Sequence, residues 1–225
     1  KQRWLIISNP SKLNSISKEM ADSVCNELDA AERDEDIAVV LIRGEGENFS
    51  SGADLSKFEP GNEGQASEFR DSMNGIVLRM NSMSKPVIAV LHGYSMGGGL
   101  EIAESADIRI AGNGAKIGQP EIKIGINAGA GGNVILPRLI GRGKALYMML
   151  TGEILTAQQA LDFGLIDIIY EDSQLFEKSQ KIAEKISSMP KEAISVCKSV
   201  LYSSEGLTVK EALELEKDGF VKLFS

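Results

Sequence analysis

Histidine and cysteine are scarce in this chain. Its 225 residues include one histidine, His92, and two cysteines, Cys25 and Cys197, which lie far apart in the sequence. A metal site built from histidine and cysteine needs three or four such ligands close together, so this kind of site is excluded. Two cysteines in a chain of this length also favour a reducing compartment. We therefore predict that the protein binds no metal ion.

Basic residues are outnumbered, and long apolar runs are missing. Lysine and arginine total 24 against 32 aspartates and glutamates, which gives a formal net charge of −8. The chain thus lacks the basic footprint of most nucleic-acid-binding proteins, and an anionic ligand would need a local basic patch. The longest apolar run, Ile37–Ile42, is too short to cross a membrane, and no secretory signal is visible. We expect a cytoplasmic protein with no nucleic-acid or membrane partner.

Glycine-rich motifs for nucleotide phosphates are incomplete. The dinucleotide pattern G-x-G-x-x-G is broken by Val134 in one candidate segment and by Leu146 in the other. A phosphate loop ending at Lys144 lacks the required serine or threonine, because Ala145 follows the lysine. What remains for chemistry is carboxylates and backbone N–H groups, which suit acid–base reactions of a carbonyl compound.

The glycine-rich segment at residues 93–101 is the most informative part of the chain. It follows an apolar run at residues 87–91 that is typical of a buried strand, and it leads into a predicted helix. A strand that turns through glycines into a helix directs free backbone N–H groups outward. Such groups suit an anion or a developing oxyanion.

Ser95 gives this segment a second interpretation. Residues 93–97 match the G-x-S-x-G nucleophile elbow of serine hydrolases. That chemistry requires a histidine base after the serine in chain order, whereas the one histidine, His92, precedes it. We therefore interpret Ser95 as a small residue that fills a tight turn, and His92 as a hydrogen-bonded residue at the end of a strand.

The hydrophobic pattern predicts strands and helices in alternation for the first two-thirds of the chain, and helices alone after it. The predicted strands lie at residues 4–7, 37–42, 87–91 and 106–111, and helices begin near residues 15–19, 66, 145, 156 and 190. This order is typical of an α/β core with a helical C-terminal part. We divide the chain into a core at residues 1–155 and a helical region at residues 156–225.

A series of short motifs carries a resemblance to a known family. They are Asn9-Pro10 with Lys12-Leu13-Asn14, then residues 50–55, 85–89, 97–101, 118–121, 129–132, 150–152 and 160–164. With these motifs in this order, the chain from about Trp4 to Gly219 resembles the crotonase superfamily, the enoyl-CoA hydratase/isomerase fold. Each motif alone is weak, and their order and spacing make the resemblance specific.

The resemblance implies an α/β fold, a spiral of β-β-α repeats followed by a helical region that builds a trimer or a dimer of trimers. It also implies an acyl-CoA thioester as the substrate, and no separate cofactor, because coenzyme A is part of that substrate. In the family, the thioester oxygen lies between two backbone N–H groups, which by motif position belong to Ala53 and Gly98. The positions that match the CoA site are Lys12, Leu13, Ser51, Ala53, Asp54, Leu55 and Gly98.

Two carboxylates distinguish the hydratases within this family. Hydratases carry one glutamate directly after the glycine turn and one in the Gln-Pro-Glu motif, and this chain has Glu101 and Glu121 there. In the family these residues hold one water; one acts as its base, and the other supplies or receives a proton at Cα. We therefore predict a hydratase that converts a 2-enoyl-CoA to a 3-hydroxyacyl-CoA. We interpret Glu104 and Asp107 as structural or solvated, and Asp54 as ordering its loop.

The sequence departs from the family pattern in three places. Ser50-Ser51 replaces small apolar residues, which is expected to change contacts near the adenine. Asn127-Ala128 replaces Ile-Pro beside the second glutamate, which is expected to reshape that loop. The chain also stops at Ser225, before the terminal helix that covers the CoA site in family members. We expect the acyl pocket to be lined by residues 56–72 and 133–150.

Three alternatives stay open at this level. Within the family, a Δ3,Δ2-enoyl-CoA isomerase or another acyl-CoA lyase or hydrolase generally needs only the second glutamate. Some relatives bind RNA, which the net charge of −8 argues against. The third alternative is a serine hydrolase that uses Ser95, which the missing histidine argues against.

Overall fold

The computed structural model describes residues 1–58 and 61–224, and these form eight strands and nine α-helices. The strands are β1 (Gln2–Ile7), β2 (Val39–Gly44), β3 (Val87–Leu91), β4 (Tyr94–Met96), β5 (Ile108–Gly112), β6 (Lys116–Gly118), β7 (Ile154–Thr156) and β8 (Ile168–Tyr170). The helices are α1 (Lys18–Arg33), α2 (Glu63–Ser82), α3 (Gly98–Glu104), α4 (Gly132–Ile140), α5 (Arg142–Thr151), α6 (Ala157–Phe163), α7 (Leu175–Ser187), α8 (Lys191–Ser203) and α9 (Val209–Lys222). The predicted α/β class is confirmed.

Two sheets organise the molecule. The larger sheet is parallel, with strand order β1-β2-β3-β5-β8. The smaller sheet has the order β4-β6-β7, in which β6 and β7 are antiparallel. Strand β3 is the central strand of the larger sheet and is buried along its whole length, as its unbroken apolar sequence indicates. The chain passes from the larger to the smaller sheet between β3 and β4, and the glycine turn at residues 97–99 follows β4 and begins α3.

The larger sheet is covered on both faces. Alternate residues of β2 enter different apolar clusters: Val40 and Ile42 belong to the cluster that includes residues of α1 and α2, whereas Val39 and Leu41 pack with residues of α7. This alternation follows from the period of two in a strand. The layers of helices on each side explain why the parallel strands are almost entirely apolar.

Helix α8 is attached to the core by a buried lysine. Lys198 is 6% exposed, and its Nζ donates to the backbone oxygens of Met80 (2.7 Å) and Lys85 (3.0 Å) and to Asp107 Oδ2 (2.8 Å). Asp107 Oδ2 also accepts from the backbone N–H of Val87 at 2.6 Å. Asp107 is therefore structural, which agrees with its interpretation from the sequence.

The expectation that helices alone follow the first two-thirds of the chain is wrong at two short strands, β7 and β8. Strand β8, at Ile168–Tyr170, pairs with β5 and completes the larger sheet. Its three residues are too few for periodicity to separate a strand from a helix. The division at residues 155 and 156 stays a prediction. Within residues 1–58 and 61–224, none of the helices has both the length and the apolar character that a membrane span requires.

Candidate active site

A cavity of about 680 Å³ lies where the glycine turn, the loop at residues 51–58, helix α2 and the loop at residues 120–130 meet. Its wall is largely apolar. Side chains that contribute to this apolar wall include Leu55, Phe58, Phe69, Ile124 and Ile126. All four residues predicted to be catalytic also line it: Ala53, Gly98, Glu101 and Glu121. The fold therefore brings both carboxylates and both backbone positions to one apolar cavity.

Two free backbone N–H groups meet at this cavity. Gly98 is the first residue of α3, and a Cβ built on it would lie 3.5 Å from the backbone nitrogen of Ala53. Among the described residues, neither of these two N–H groups donates a hydrogen bond. The N–H of a first helical residue has no partner within its helix, which leaves that of Gly98 available. Together they can bind one oxygen that gains negative charge.

The two turns that carry these N–H groups are held closely together. Ala53 pairs with Ile16, whose N–H donates to Gly52 O and whose oxygen accepts from Asp54 N, both at 2.8 Å. Gly52 has φ +98°, and a Cβ on it would lie 2.9 Å from Met96 O. Glycine is needed there for both the backbone conformation and the close approach.

Glu101 is buried and oriented by backbone donors. Its side chain accepts hydrogen bonds at Oε1 from the N–H of Ala130 (2.7 Å) and the N–H of Gly132 (2.8 Å). Burial raises the pKa of Glu101, and these two donors oppose that shift because they favour the ionised form. Its other oxygen, Oε2, would lie 3.9 Å from a Cβ built on Gly98. The carboxylate is therefore fixed at one oxygen and directs the other toward the turn.

Glu121 begins a short 3-10 turn, Glu121–Ile124, directly after Pro120. Burial, with a smaller contribution from the negative charge of Glu101, raises the pKa of Glu121 to about 7. Its Oε1 would lie 2.9 Å from a Cβ built on Gly97, and Gly97 has φ +51°, so glycine is favoured at that position. Near neutral pH, Glu121 can both donate and accept a proton.

The predicted CoA residues separate into two groups. Ser51, Leu55, Ala53 and Gly98 line the cavity, whereas Lys12, Leu13 and Asp54 are not among its described lining residues. Lys12 Nζ donates to Asp54 Oδ2 at 2.9 Å.

Asp54 orders its own loop. It accepts at Oδ1 from Ser56 Oγ (2.6 Å) and Ser56 N (3.3 Å). Ser56, followed by Lys12, lowers the pKa of Asp54. The interpretation of Asp54 as a residue that orders its loop is confirmed.

The wall of the cavity was only partly predicted. The expected contribution of residues 56–72 is confirmed by Phe58, Phe69 and Arg70. The expected contribution of residues 133–150 is not met, because residues 120–130 form that side of the described wall instead. The apolar residues beside the Gln-Pro-Glu motif, Ile124 and Ile126, were a signal for this that the sequence analysis missed.

Ser95 and His92 do not form a catalytic pair. Ser95 is fully buried within strand β4, so its interpretation as a turn residue is wrong, and it is inaccessible to a substrate. His92 is 8% exposed; its Nδ1 lies 3.4 Å from Val90 O, and its ring packs edge-on against Phe176. This confirms His92 as a structural residue at the end of a strand. In the described part of the chain, no group of three histidine, cysteine, aspartate or glutamate side chains could hold a metal ion.

Comparison with known proteins decides the family. The sequence profile of the family "Enoyl-CoA hydratase/isomerase" matches residues 5–225. The chain belongs to this family. The resemblance to the crotonase superfamily is thereby confirmed, and this member of the enoyl-CoA hydratase/isomerase family is an enzyme.

Its relatives include several hydratases. The chain is 34% identical over 220 residues to the short-chain-enoyl-CoA hydratase of Clostridium acetobutylicum, covering 97% of this chain and 84% of the relative. It is 35% identical over 223 residues to a probable enoyl-CoA hydratase of Bacillus subtilis, covering 98% and 86%. The crystal structure of enoyl-CoA hydratase from Thermoplasma volcanium superposes with a TM-score of 0.91 at 46% identity, covering 98% of this chain and 88% of that one. The fold of this family member is thus the crotonase fold.

Proposed function

We propose that this enzyme adds water across the 2,3-double bond of a 2-enoyl-CoA thioester and forms a 3-hydroxyacyl-CoA. The observation that carries the proposal is the joint position of Glu101 and Glu121 in the wall of one largely apolar cavity. Two carboxylates in one site can supply a base for water and an acid for carbon in the same reaction. The names of the hydratase relatives support the same reaction class.

The thioester oxygen binds between the N–H groups of Ala53 and Gly98. Addition of a nucleophile at C3 moves negative charge to this oxygen, and the two fixed donors stabilise the resulting enolate. The positive end of the backbone dipoles at the start of α3 acts in the same direction. These N–H groups are already in position before the reaction, so they stabilise the charged intermediate without any rearrangement of the protein.

The two carboxylates handle the protons. Glu101, held by two backbone N–H groups, acts as the base: it removes a proton from water while the water oxygen forms the bond to C3. The electron pair of the double bond moves to the thioester oxygen. Glu121 then gives its proton to C2, and the electrons return from oxygen to close the C–H bond. Proton exchange with solvent restores both carboxyl groups, so the net reaction adds one water.

We propose that the residues beside the cavity hold the CoA portion. Ser51 and Leu55 lie in its wall, and Lys12, Leu13 and Asp54 lie on the adjoining loop segment. Lys12 is about half exposed, so its ammonium group can meet a phosphate while it remains bound to Asp54. This gives the acidic chain a local cation for an anionic ligand.

Incubation of the purified protein with crotonyl-CoA tests the proposed reaction. We expect loss of the absorbance of the conjugated enoyl thioester, with 3-hydroxybutyryl-CoA as the product identified by mass spectrometry. A 3-enoyl-CoA in a parallel reaction tests the isomerase alternative, since its conversion raises that absorbance. Binding of crotonyl-CoA without hydration would contradict the proposed function and leave the family assignment unchanged.

The rate of hydration is expected to fall above about pH 7. Glu121 must carry a proton to act as the acid, and burial sets its pKa at about 7. Each further pH unit then removes about nine-tenths of the active form, so kcat/KM should fall about tenfold per unit. The measurement is kcat/KM for crotonyl-CoA between about pH 5.5 and about pH 9. A profile that stays flat to the upper limit would show that Glu121 is not the acid.

We also propose that the enzyme is a homo-oligomer, either a trimer or a dimer of trimers. Helices α8 and α9 leave large apolar side chains exposed, among them Leu201, Val209, Leu213 and Phe220. Several large apolar side chains exposed on two neighbouring helices are typical of a protein interface. Sedimentation analysis is expected to give three or six chains, and Leu213→Glu with Phe220→Glu should shift the mass toward one chain. Lys185→Glu, at an exposed position of α7, is the control that should leave the mass unchanged.

A further inference from the structure

Glu104 is a third buried carboxyl group behind the two that face the cavity. It lies one helical turn after Glu101 on α3 and is 2% exposed. Its Oε1 accepts one hydrogen bond, from Gln119 Nε2 at 3.1 Å. Its Oε2 is buried, and among the described residues it has no hydrogen-bond partner. An ionised carboxylate held by a single neutral donor in such a place carries a large desolvation penalty.

In the described part of the chain, no cation forms an ion pair with Glu104 that would offset that penalty. The charged groups that act on Glu104 are Glu101, Glu121 and Arg109. The guanidinium of Arg109 is occupied elsewhere, because it donates to Leu165 O (2.8 Å), to Ala106 O (2.7 Å) and to Asp167 (3.0 Å). Burial, followed by the negative charge of Glu101, raises the pKa of Glu104 well above its usual range. The buried carboxyl group is thus expected to keep its proton.

The hydrogen-bond pattern of Gln119 agrees with a proton on Glu104. Gln119 Oε1 is also buried, and the described residues offer it no donor. A carboxylic acid and a primary amide can form two hydrogen bonds at once, from amide N–H to acid C=O and from acid O–H to amide C=O. The first of these bonds is present between Gln119 and Glu104. A proton on Oε2 of the acid allows the second, which would satisfy both remaining oxygens.

Gln119 lies between the turns that place the two catalytic carboxylates. It precedes Glu121 by two residues, so its backbone leads directly into that turn. Its Nε2 would lie 2.9 Å from a Cβ built on Gly132, whose N–H holds Glu101 at 2.8 Å. A shift of the Gln119 side chain would therefore disturb both turns.

We propose that Glu104 is a positioning residue: as a neutral carboxylic acid it forms two hydrogen bonds with Gln119, and this pair fixes Glu101 and Glu121 relative to each other. The inference rests on one part of the proposed function, namely that Glu101 and Glu121 exchange protons with an acyl-CoA. It assigns a role to a side chain that does not line the cavity.

Two variants of Glu104 test whether this side chain acts through hydrogen bonds or through a negative charge. Glu104→Gln can form two amide–amide hydrogen bonds with Gln119, so we expect kcat and the pH profile of the wild type. Glu104→Leu has a similar size but forms neither bond, so we expect kcat to fall about 10- to 100-fold with little change in KM. Gln119→Leu should give the same loss, and the double variant no further loss, because the two residues act as one unit.

A second assay keeps this test independent of hydration. Exchange of the Cα protons of butyryl-CoA in D₂O, followed by NMR, needs the carboxylates but adds no water. We expect the same order of the variants in both assays. If the wild type exchanges these protons but does not hydrate crotonyl-CoA, the proposed function fails while the positioning role is still tested by the exchange rates.

Two structural measurements complete the test. Amide hydrogen exchange at Ala130 and Gly132 should be faster in Glu104→Leu and unchanged in Glu104→Gln, since these N–H groups hold Glu101. At about pH 9, where Glu121 is ionised, the infrared carbonyl band of a protonated carboxyl should be present in the wild type and absent from Glu104→Gln. This band also decides the proposal if Glu104→Leu does not fold. Loss of activity in Glu104→Gln, a shifted pH profile, or a missing infrared band would overturn the proposal.

Discussion

Replacement of Glu121 by glutamine is expected to lower kcat for hydration of crotonyl-CoA by about 10²- to 10⁴-fold. The amide keeps the size of the side chain but cannot transfer a proton to C2. Glu101→Gln should cause a loss of similar size, because it removes the base for water. Since both substitutions act on the reaction rather than on binding, KM should change much less than kcat. Steady-state kinetics with crotonyl-CoA measure both constants.

The stability of Glu121→Gln shows whether its loss of activity comes from lost chemistry or from a less stable fold. Burial raises the pKa of Glu121 in the folded protein to about 7. Its favourable contribution to folding is therefore complete below the unfolded pKa of about 4.3, and it is lost as pH rises toward 7. Glutamine has no such loss, so above neutral pH the melting temperature of Glu121→Gln should equal or exceed that of the wild type. Glu184→Gln, on the exposed side of α7, is the control that should leave activity unchanged.

A different result for Glu101→Gln would change the assigned reaction. If this variant keeps an activity that Glu121→Gln loses, one carboxylate is sufficient, and a double-bond isomerisation fits better than hydration. If both variants keep the hydration rate of the wild type, neither carboxylate acts on a proton. In that case the cavity binds the thioester, and another group performs the reaction.

The local structure around each of the two carboxylates could be predicted from the sequence, because each lies in a short motif. Glu101 follows a glycine turn, and Glu121 follows Pro120 in a short turn, and both local structures are present. Nothing local shows that the two groups meet in one cavity, since twenty residues and two further strands separate them. The family resemblance supplied that step. Strand β8 was not predicted, because three residues are too few to show the alternation of apolar and polar residues that indicates a strand.

Glu104 shows where interpretation from sequence ends. Its spacing from Glu101 places both on α3, but sequence alone left open whether its side chain was structural or solvated. The fold surrounds it with α3 itself, Gln119 and the nearby turns, and it is 2% exposed. Its protonation state depends on this burial and on the lack of a paired cation among the described residues, and both are properties of the tertiary structure. Ser95 is a similar case, because its interpretation from the sequence was a small residue in a tight turn, whereas it lies buried in strand β4.

Replacement of Gly98 by proline is expected to lower kcat for hydration about 10²- to 10³-fold relative to Gly98→Ala. Proline removes the N–H group that we assign to the thioester oxygen, and alanine keeps it. Proline is tolerated at the first position of a helix, and Gly98 occupies that position in α3. The preceding Gly97 has φ 51° and ψ −129°, outside the helical region that proline disfavours in the residue before it.

The alanine variant is the matched control because both substitutions add a Cβ at the same point. That atom would lie 3.3 Å from Met73 Cε, the end of a flexible side chain that can move aside. The N–H group binds the enolate more strongly than the neutral thioester, so the proline variant should lose more in kcat than in affinity for butyryl-CoA. Equal kcat values for the two variants would exclude Gly98 from the oxyanion site, and the N–H of Ala53 would then act without it.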